Sequence, residues 1–171
     1  FEACEIVLIQ LEIPIETVEY AVQLAKKLDK LVFLNPAPAH ELSAATLSHI
    51  DIITPNETEL QLLSGHTITD DTSIRTAAQH LLDQGAKTVI VTLGKRGAFV
   101  LNDNLETIIP APTVQAVDTT AAGDTFNGAL AVALAENKAL KAAIEFANRA
   151  AAFSVTKLGA QSSTPTLEDL K

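Results

Sequence analysis

The chain has no methionine and no tryptophan, and only one cysteine among its 171 residues. Cys4 alone excludes an internal disulfide, which fits a reducing compartment such as the cytoplasm. With no methionine even at position 1 and an opening Phe1-Glu2-Ala3-Cys4, the expectation is a processed or truncated chain. No apolar run approaches the ~18 residues of a membrane span, and no signal-peptide pattern stands at the start. The chain also lacks any run of lysine or arginine, and its formal net charge is −9. That balance argues against nucleic acid or an anionic membrane as partner, while leaving room for a local basic spot that holds phosphate.

Several site patterns are missing too. There is no Gly-x-x-x-x-Gly-Lys-Ser/Thr, no Gly-x-Gly-x-x-Gly and no Gly-x-Ser-x-Gly. His40, His49, His66 and His80 are scattered without ligand spacing or a cysteine partner, so a structural metal site is not expected.

What is present is 47% apolar residues spread along the whole chain, enough for one domain, residues 1–171, with a substantial core. Ile6 to Leu11, Leu31 to Leu34, Asp51 to Thr54 and Thr88 to Leu93 read as strands. Between them, apolar residues recur at helical spacing over Thr17 to Lys30, with Thr17 as a possible cap, Glu41 to Ser48, Asn56 to Ser64 and Asp70 to Gln84. Ala98 to Leu101 and Glu106 to Ile109 form a hairpin around Asp103-Asn104, and two helices follow near Ala122–Glu136 and Leu140–Val155. This alternation predicts an α/β fold: a Rossmann-like, mostly parallel sheet with helices on both faces. Ligands of such sheets bind outside the carboxyl ends of the strands. Glu12, Asn35, Asn56 and Gly94 all lie at such ends, as does the stretch entered through Val114 to Val117, so one polar rim is expected.

That stretch, Asp118-Thr-Thr-Ala-Ala-Gly-Asp-Thr-Phe-Asn-Gly128, is a small-residue turn feeding a helix. Unpaired N–H groups and the positive end of the helix dipole point the same way there, which makes an anion site. Asp124, in the first turn, serves either as helix cap or as a base beside the bound anion. Asn56 and Glu59 are three apart at another helix start, which local sequence reads first as a capping box, and an amide and a carboxylate there also fit to hold Mg²⁺ through water. Thr92-Leu93-Gly94-Lys95-Arg96-Gly97 either wraps nucleotide phosphates or is a hairpin turn with solvated cations. Glu12, ending a strand, either binds sugar hydroxyls or is a surface carboxylate.

Together, Asp118 to Gly128, Asn35-Pro36-Ala37-Pro38-Ala39 and Pro55-Asn56-Glu57-Thr58-Glu59 resemble the ribokinase-like (phosphofructokinase-B) sugar kinase family. The likeness runs from about Ile6 to Pro165 and is nearest to the branch that phosphorylates ribose. It implies a cytoplasmic, ATP-dependent kinase acting on the primary hydroxyl of ribose to give ribose 5-phosphate, with another sugar or a nucleoside, or a non-catalytic nucleotide-binding fragment, as alternatives. By this resemblance Asp124 is the base, and Ala121, Ala122 and Gly123 present N–H groups to the transferring phosphoryl. Glu12 and Asp124 hold the sugar, while Asn56, Thr92, Gly94, Gly97 and Asn148 lie along ATP. Mg²⁺ is organised by Asn56 and Glu59. A monovalent cation, K⁺ by expectation, is held by Asp118, Thr120, Gly159 and Ser163. The family also carries an N-terminal half with a Gly-Gly motif and a small β lid that makes a homodimer. Neither is in this sequence, so the expectation is the C-terminal, nucleotide-binding portion of the fold, with an apolar strand edge left near Ile6 to Leu11.

Overall fold

The computed structural model describes residues 1–170. In order, the elements are β1 (Ile6–Gln10), α1 (Ile15–Lys27), β2 (Leu31–Asn35), α2 (Ala44–Leu47), β3 (Ile52–Ile53), α3 (Glu57–Ser64) and α4 (Asp71–Asp83). There follow β4 (Val89–Thr92), a 3₁₀ turn at Gly94–Arg96, β5 (Ala98–Asn102), β6 (Leu105–Ile109), α5 (Ala122–Ala135), α6 (Leu140–Ser154) and a second 3₁₀ turn at Gln161–Ser163. The six strands form one sheet in the order β1-β2-β3-β4-β5-β6. Its first four strands pair in parallel, with Ile6 opposite Leu31, Phe33 opposite Ile52 and Ile53 opposite Val89. The two-residue Asp103-Asn104 turn makes β5 and β6 a hairpin, so the sheet is mixed.

The chain divides into two compact units. The first comprises Phe1–Thr92 and Phe99–Thr107; the second comprises Leu93–Ala98 and the chain from Ile108 onward.

In the first unit, Val32, Phe33 and Leu34 are buried in succession, as are Val89, Ile90 and Val91. Side chains alternate across a strand, so successive burial leaves neither side of β2 or β4 to solvent, the pattern of a parallel sheet. α1 turns Val18, Val22 and Ala25 inward and α4 turns Ile74, Ala77, Ala78 and Leu81 inward. Asp51 ties three segments: it accepts from Lys26 Nζ at 2.8 Å and Val32 N at 2.8 Å, and pairs with Lys87 at 2.8 Å. β1 stands at the end of the strand order with Leu8 39% exposed, which matches the apolar edge expected there.

In the second unit α5 packs along α6, with Phe126, Leu130, Ala133, Ala143, Ile144 and Ala147 buried.

Three local expectations are corrected. Thr17 does not cap α1. Pro14 does, its ring holding φ at −52°, and its carbonyl accepts from Thr17 N at 2.9 Å, so the helix starts two residues earlier. The helix expected over Glu41 to Ser48 shrinks to Ala44–Leu47, because Ser43 Oγ accepts from Thr46 N at 3.1 Å and fixes its start there. Val114 to Val117 is irregular, flanked upstream by Pro110 and Pro112, so the segment entering α5 does not come directly from a strand.

Candidate functional site

The first unit orders its carboxyl-end rim through backbone hydrogen bonds. Leu11 N donates to Ala37 O at 3.0 Å, Thr54 N to Leu34 O at 3.0 Å, and Thr92 N to Pro55 O at 2.9 Å. Glu12 follows β1 as an exposed carboxylate, Asn35 ends β2 and is buried, and Asn56 forms a parallel bridge with Thr92. Asn56 and Thr92 are thus neighbours although far apart in sequence.

Asn56 is the N-cap of α3. Its Oδ1 accepts from Glu59 N at 2.9 Å, and Glu59 Oε2 accepts from Asn56 N at 2.9 Å, a complete capping box. Burial pushes the Glu59 carboxyl up from its ordinary value, against the downward pull of the Asn56 hydrogen bonds. The box engages Glu59 through Oε2. An amide with a single carboxylate suits a hard, well-hydrated Mg²⁺ held through water and not a direct all-protein cage. Among the described residues no cluster of three or more His, Cys, Asp or Glu forms a metal cage.

The second unit holds the Asp118 to Gly128 turn and the Gly94 to Gly97 turn. Asp118 Oδ1 accepts from Thr120 N at 2.9 Å and Oδ2 from Gly159 N at 2.9 Å. Hydrogen bonding from the Thr120 side chain, then the Gly159 and Thr120 amides, holds its carboxyl down at about 2. Val117 N and Asp118 N both reach Val155 O, so the turn is pinned to the end of α6 as well. Ala121, the N-cap of α5, lies in the left-handed region at φ 58°, and no side chain caps the helix. That conformation costs a non-glycine residue roughly 1–2 kcal/mol, and such outliers persist where the surroundings over-determine them.

Ala122 N–H turns back to Thr119 O at 3.3 Å. Gly123 and Asp124 follow in the first turn, where N–H groups lack intrahelical acceptors, and both residues are exposed. Asp124 is the third helical residue rather than the cap, so of its two sequence readings the cap is not what the helix start shows.

Gly97 and Asn148 meet at one atom. Asn148, 4% exposed, donates from Nδ2 to Ile109 O at 2.9 Å, while a Cβ on Gly97 would stand 2.1 Å from that same oxygen. Gly94 opens the 3₁₀ turn at φ 56°, and Lys95 and Arg96 are exposed on it. Ser163 is fully buried and donates to Ala160 O at 2.8 Å, leaving its oxygen lone pairs available. Asp118, Thr120 and Gly159 are therefore joined directly, and Ser163 sits in the same tail segment.

Sequence reading assigned Asp118 to a cation and missed the clamp that its side chain makes. The Asp-Thr-Thr run signals a side chain bonding two residues on. The bond to Gly159, 41 positions away, carries no local signal.

The chain belongs to the pfkB family of carbohydrate kinases, whose family model matches residues 2–167. It is 53% identical over 162 residues to a ribokinase of Haemophilus influenzae, covering 95% of this chain and 53% of that protein. A ribokinase of Staphylococcus aureus is 46% identical, over 97% of this chain and 55% of its own length. Among solved structures, the Arabidopsis thaliana ribokinase complexed with ribose and ATP superposes with a TM-score of 0.92 at 34% identity, over 99% of this chain and 55% of that one. The chain spans about half the length of the relatives it matches.

Proposed function

We propose that this chain is the C-terminal, nucleotide-binding portion of an ATP-dependent sugar kinase, and that its 171 residues make one α/β domain. Ribose is the substrate we propose, phosphorylated on its primary hydroxyl. The observation that carries the reading is the start of α5. A left-handed, carboxylate-clamped turn leads into a helix whose first turn has no side-chain cap, with an exposed carboxylate, Asp124, one residue beyond Gly123. Identity of 53% to a ribokinase supports ribose over other sugars and nucleosides.

In this reading Asp124 accepts the proton of the sugar's primary hydroxyl as its oxygen attacks the γ-phosphorus. The bond from that phosphorus to the β,γ-bridging oxygen breaks, and ADP leaves. Charge on the transferring group's oxygens faces the Gly123 amide and its neighbours at the helix start, where the dipole adds to their pull. Phosphoryl transfer asks for positioning and charge stabilisation more than covalent help. A general base supplies on the order of 10²–10⁴ in rate and one anion-hole donor about 10²–10³.

Asn56, Thr92, Gly94, Gly97 and Asn148 are proposed to border ATP. For Gly97 and Asn148 the role is indirect: both shape the backbone at Ile109. Glu12 is proposed to hold sugar hydroxyls. Asn56 and Glu59 would hold Mg²⁺ through water, and the ion would supply neutralisation of phosphate charge when bound. K⁺ fits the backbone of Asp118 and Thr120 with Gly159 and the Ser163 hydroxyl, a set that braces the turn. A cytoplasmic setting and a homodimeric full-length protein complete the proposal.

The deciding experiment is ribose-dependent ADP release with Asp124→Asn. Turnover falls at least a hundredfold, while ATP affinity by calorimetry stays within about threefold. A variant with near-normal turnover removes Asp124 from the mechanism.

A further inference from the structure

Two imidazoles that lie apart in the sequence meet within the first unit. Gly65, left-handed at φ 70°, ends α3, and His66 follows it. His80 stands in the last turn of α4. Their ring centroids are 5.2 Å apart with the planes inclined at 53°, and both residues are half-buried. The proposed kinase chemistry uses neither.

The hydrogen bonds of the two rings say which nitrogens are free. His66 Nδ1 lies 2.9 Å from Ser64 O. A carbonyl only accepts, so Nδ1 carries the proton and Nε2 keeps its lone pair. His80 Nε2 lies 2.9 Å from the Gln84 side-chain amide. A half-turn of that amide brings its oxygen there to accept, and Nδ1 of His80 then keeps the lone pair. Metal-binding imidazoles are held in this way, with the second ring nitrogen donating to a fixed acceptor. The ring spacing agrees. With Zn–N bonds of about 2.0–2.1 Å, two imidazoles on one tetrahedral Zn²⁺ put their centroids about 5 Å apart.

We propose that His66 and His80 form a site for a divalent transition-metal ion of the kind imidazole prefers, with Zn²⁺ as the probe. His66 Nε2 and His80 Nδ1 are the protein ligands, and water fills the other positions. Among the described residues no third His, Cys, Asp or Glu completes a cluster, so the site is open and exchangeable rather than a closed structural one. The bound ion fastens the segment after α3 to the end of α4. It sits at the opposite end of α3 from Asn56 and Glu59, whose oxygen donors suit Mg²⁺ instead. The inference stands on these two side chains and is independent of catalysis.

The test titrates Zn²⁺ by calorimetry into the metal-free 171-residue chain, without nucleotide and in a Cys4→Ser background that removes the one thiol. One ion should bind per chain, and excess Mg²⁺ should not displace it. His66→Ala and His80→Ala should each weaken binding at least about tenfold, and Gln84→Leu, which removes the orienting amide, should weaken it about tenfold. His49→Ala should leave it unchanged. Zn²⁺ should raise the melting temperature of the parent chain and not that of His66→Ala. Where an alanine variant does not fold, the imidazole ¹⁵N signals of the parent chain decide, because Zn²⁺ should shift His66 Nε2 and His80 Nδ1. Absence of binding, binding indifferent to both alanine variants, or ring signals that Zn²⁺ leaves in place overturns the proposal. None of these outcomes bears on Asp124, so the kinase reading stands or falls separately.

Discussion

At the scale of single residues, Asp118 and Gly97 hold the two turns of the second unit. The Asp118 carboxyl is held at about 2, below its ordinary 3.8. A group with a depressed folded value contributes above its unfolded value and loses that contribution as pH falls through the folded one. The tie from Asp118 to Gly159 therefore persists at pH 4 and releases only toward pH 2, read as loss of protection at the Gly159 amide. Gly97 is a harder constraint. At φ 97° its added Cβ would meet Ile109 O, Ala111 N and Pro110 C, all backbone atoms that cannot rotate aside. Gly97→Ala is expected to destabilise by about 3 kcal/mol, measured by denaturant unfolding. In the first unit, burial raises the Asp51 carboxyl, but hydrogen bonds from Lys26, Lys87 and the Val32 amide outweigh it and hold it below 3.8. Asp51→Ala costs about 1–2 kcal/mol near neutrality, discounted because Lys87 is well exposed. That penalty shrinks as pH falls below the ordinary carboxylate range, where wild-type Asp51 is itself protonated.

At the scale of elements, α3 and α5 begin in opposite ways. α3 has a side-chain capping box, legible in the sequence because Asn56 and Glu59 stand three apart before an apolar run. Asn56→Ala should cost about 1 kcal/mol of stability. Asn56→Asp keeps the cap but sets a negative charge beside the proposed phosphate site, so it should weaken ATP binding while leaving the melting temperature near wild type. ATP affinity unchanged in Asn56→Asp would detach this helix start from the nucleotide.

α5 has no such box, and its start is set by Asp118 from outside the helix. The contrast explains what the sequence disclosed. Strands β1 to β4, the hairpin and the helices with an apolar face follow from local periodicity and turn chemistry, and they were legible. The left-handed Ala121, the Asp118–Gly159 tie and the meeting of Gly97 with Asn148 at Ile109 depend on segments distant in the chain. No spacing rule encodes them.

At the scale of the whole molecule, the questions are cooperativity and edge. β1 ends the sheet, its outer side unpaired among the described residues, and Leu8 and Ile13 are 39% and 47% exposed near it. An unpaired parallel strand presents a row of N–H and C=O groups flanked by apolar side chains, which invites pairing with another chain. A parallel sheet also depends on long-range pairing, which folds slowly and leaves such edges uncovered meanwhile. The chain alone is therefore expected to melt at a temperature that rises with protein concentration, because association covers the edge.

If the 171 residues are one domain, unfolding reported from the two units must coincide. Only Tyr20 of the first unit provides a tyrosine signal, and a tryptophan placed at Phe146, half-buried in the second unit, provides a separate one. Coincident midpoints that move together with concentration support one domain with an adhesive edge. A sharp, concentration-independent melt would show that β1 needs no cover, and separated midpoints would divide the chain into two folding units.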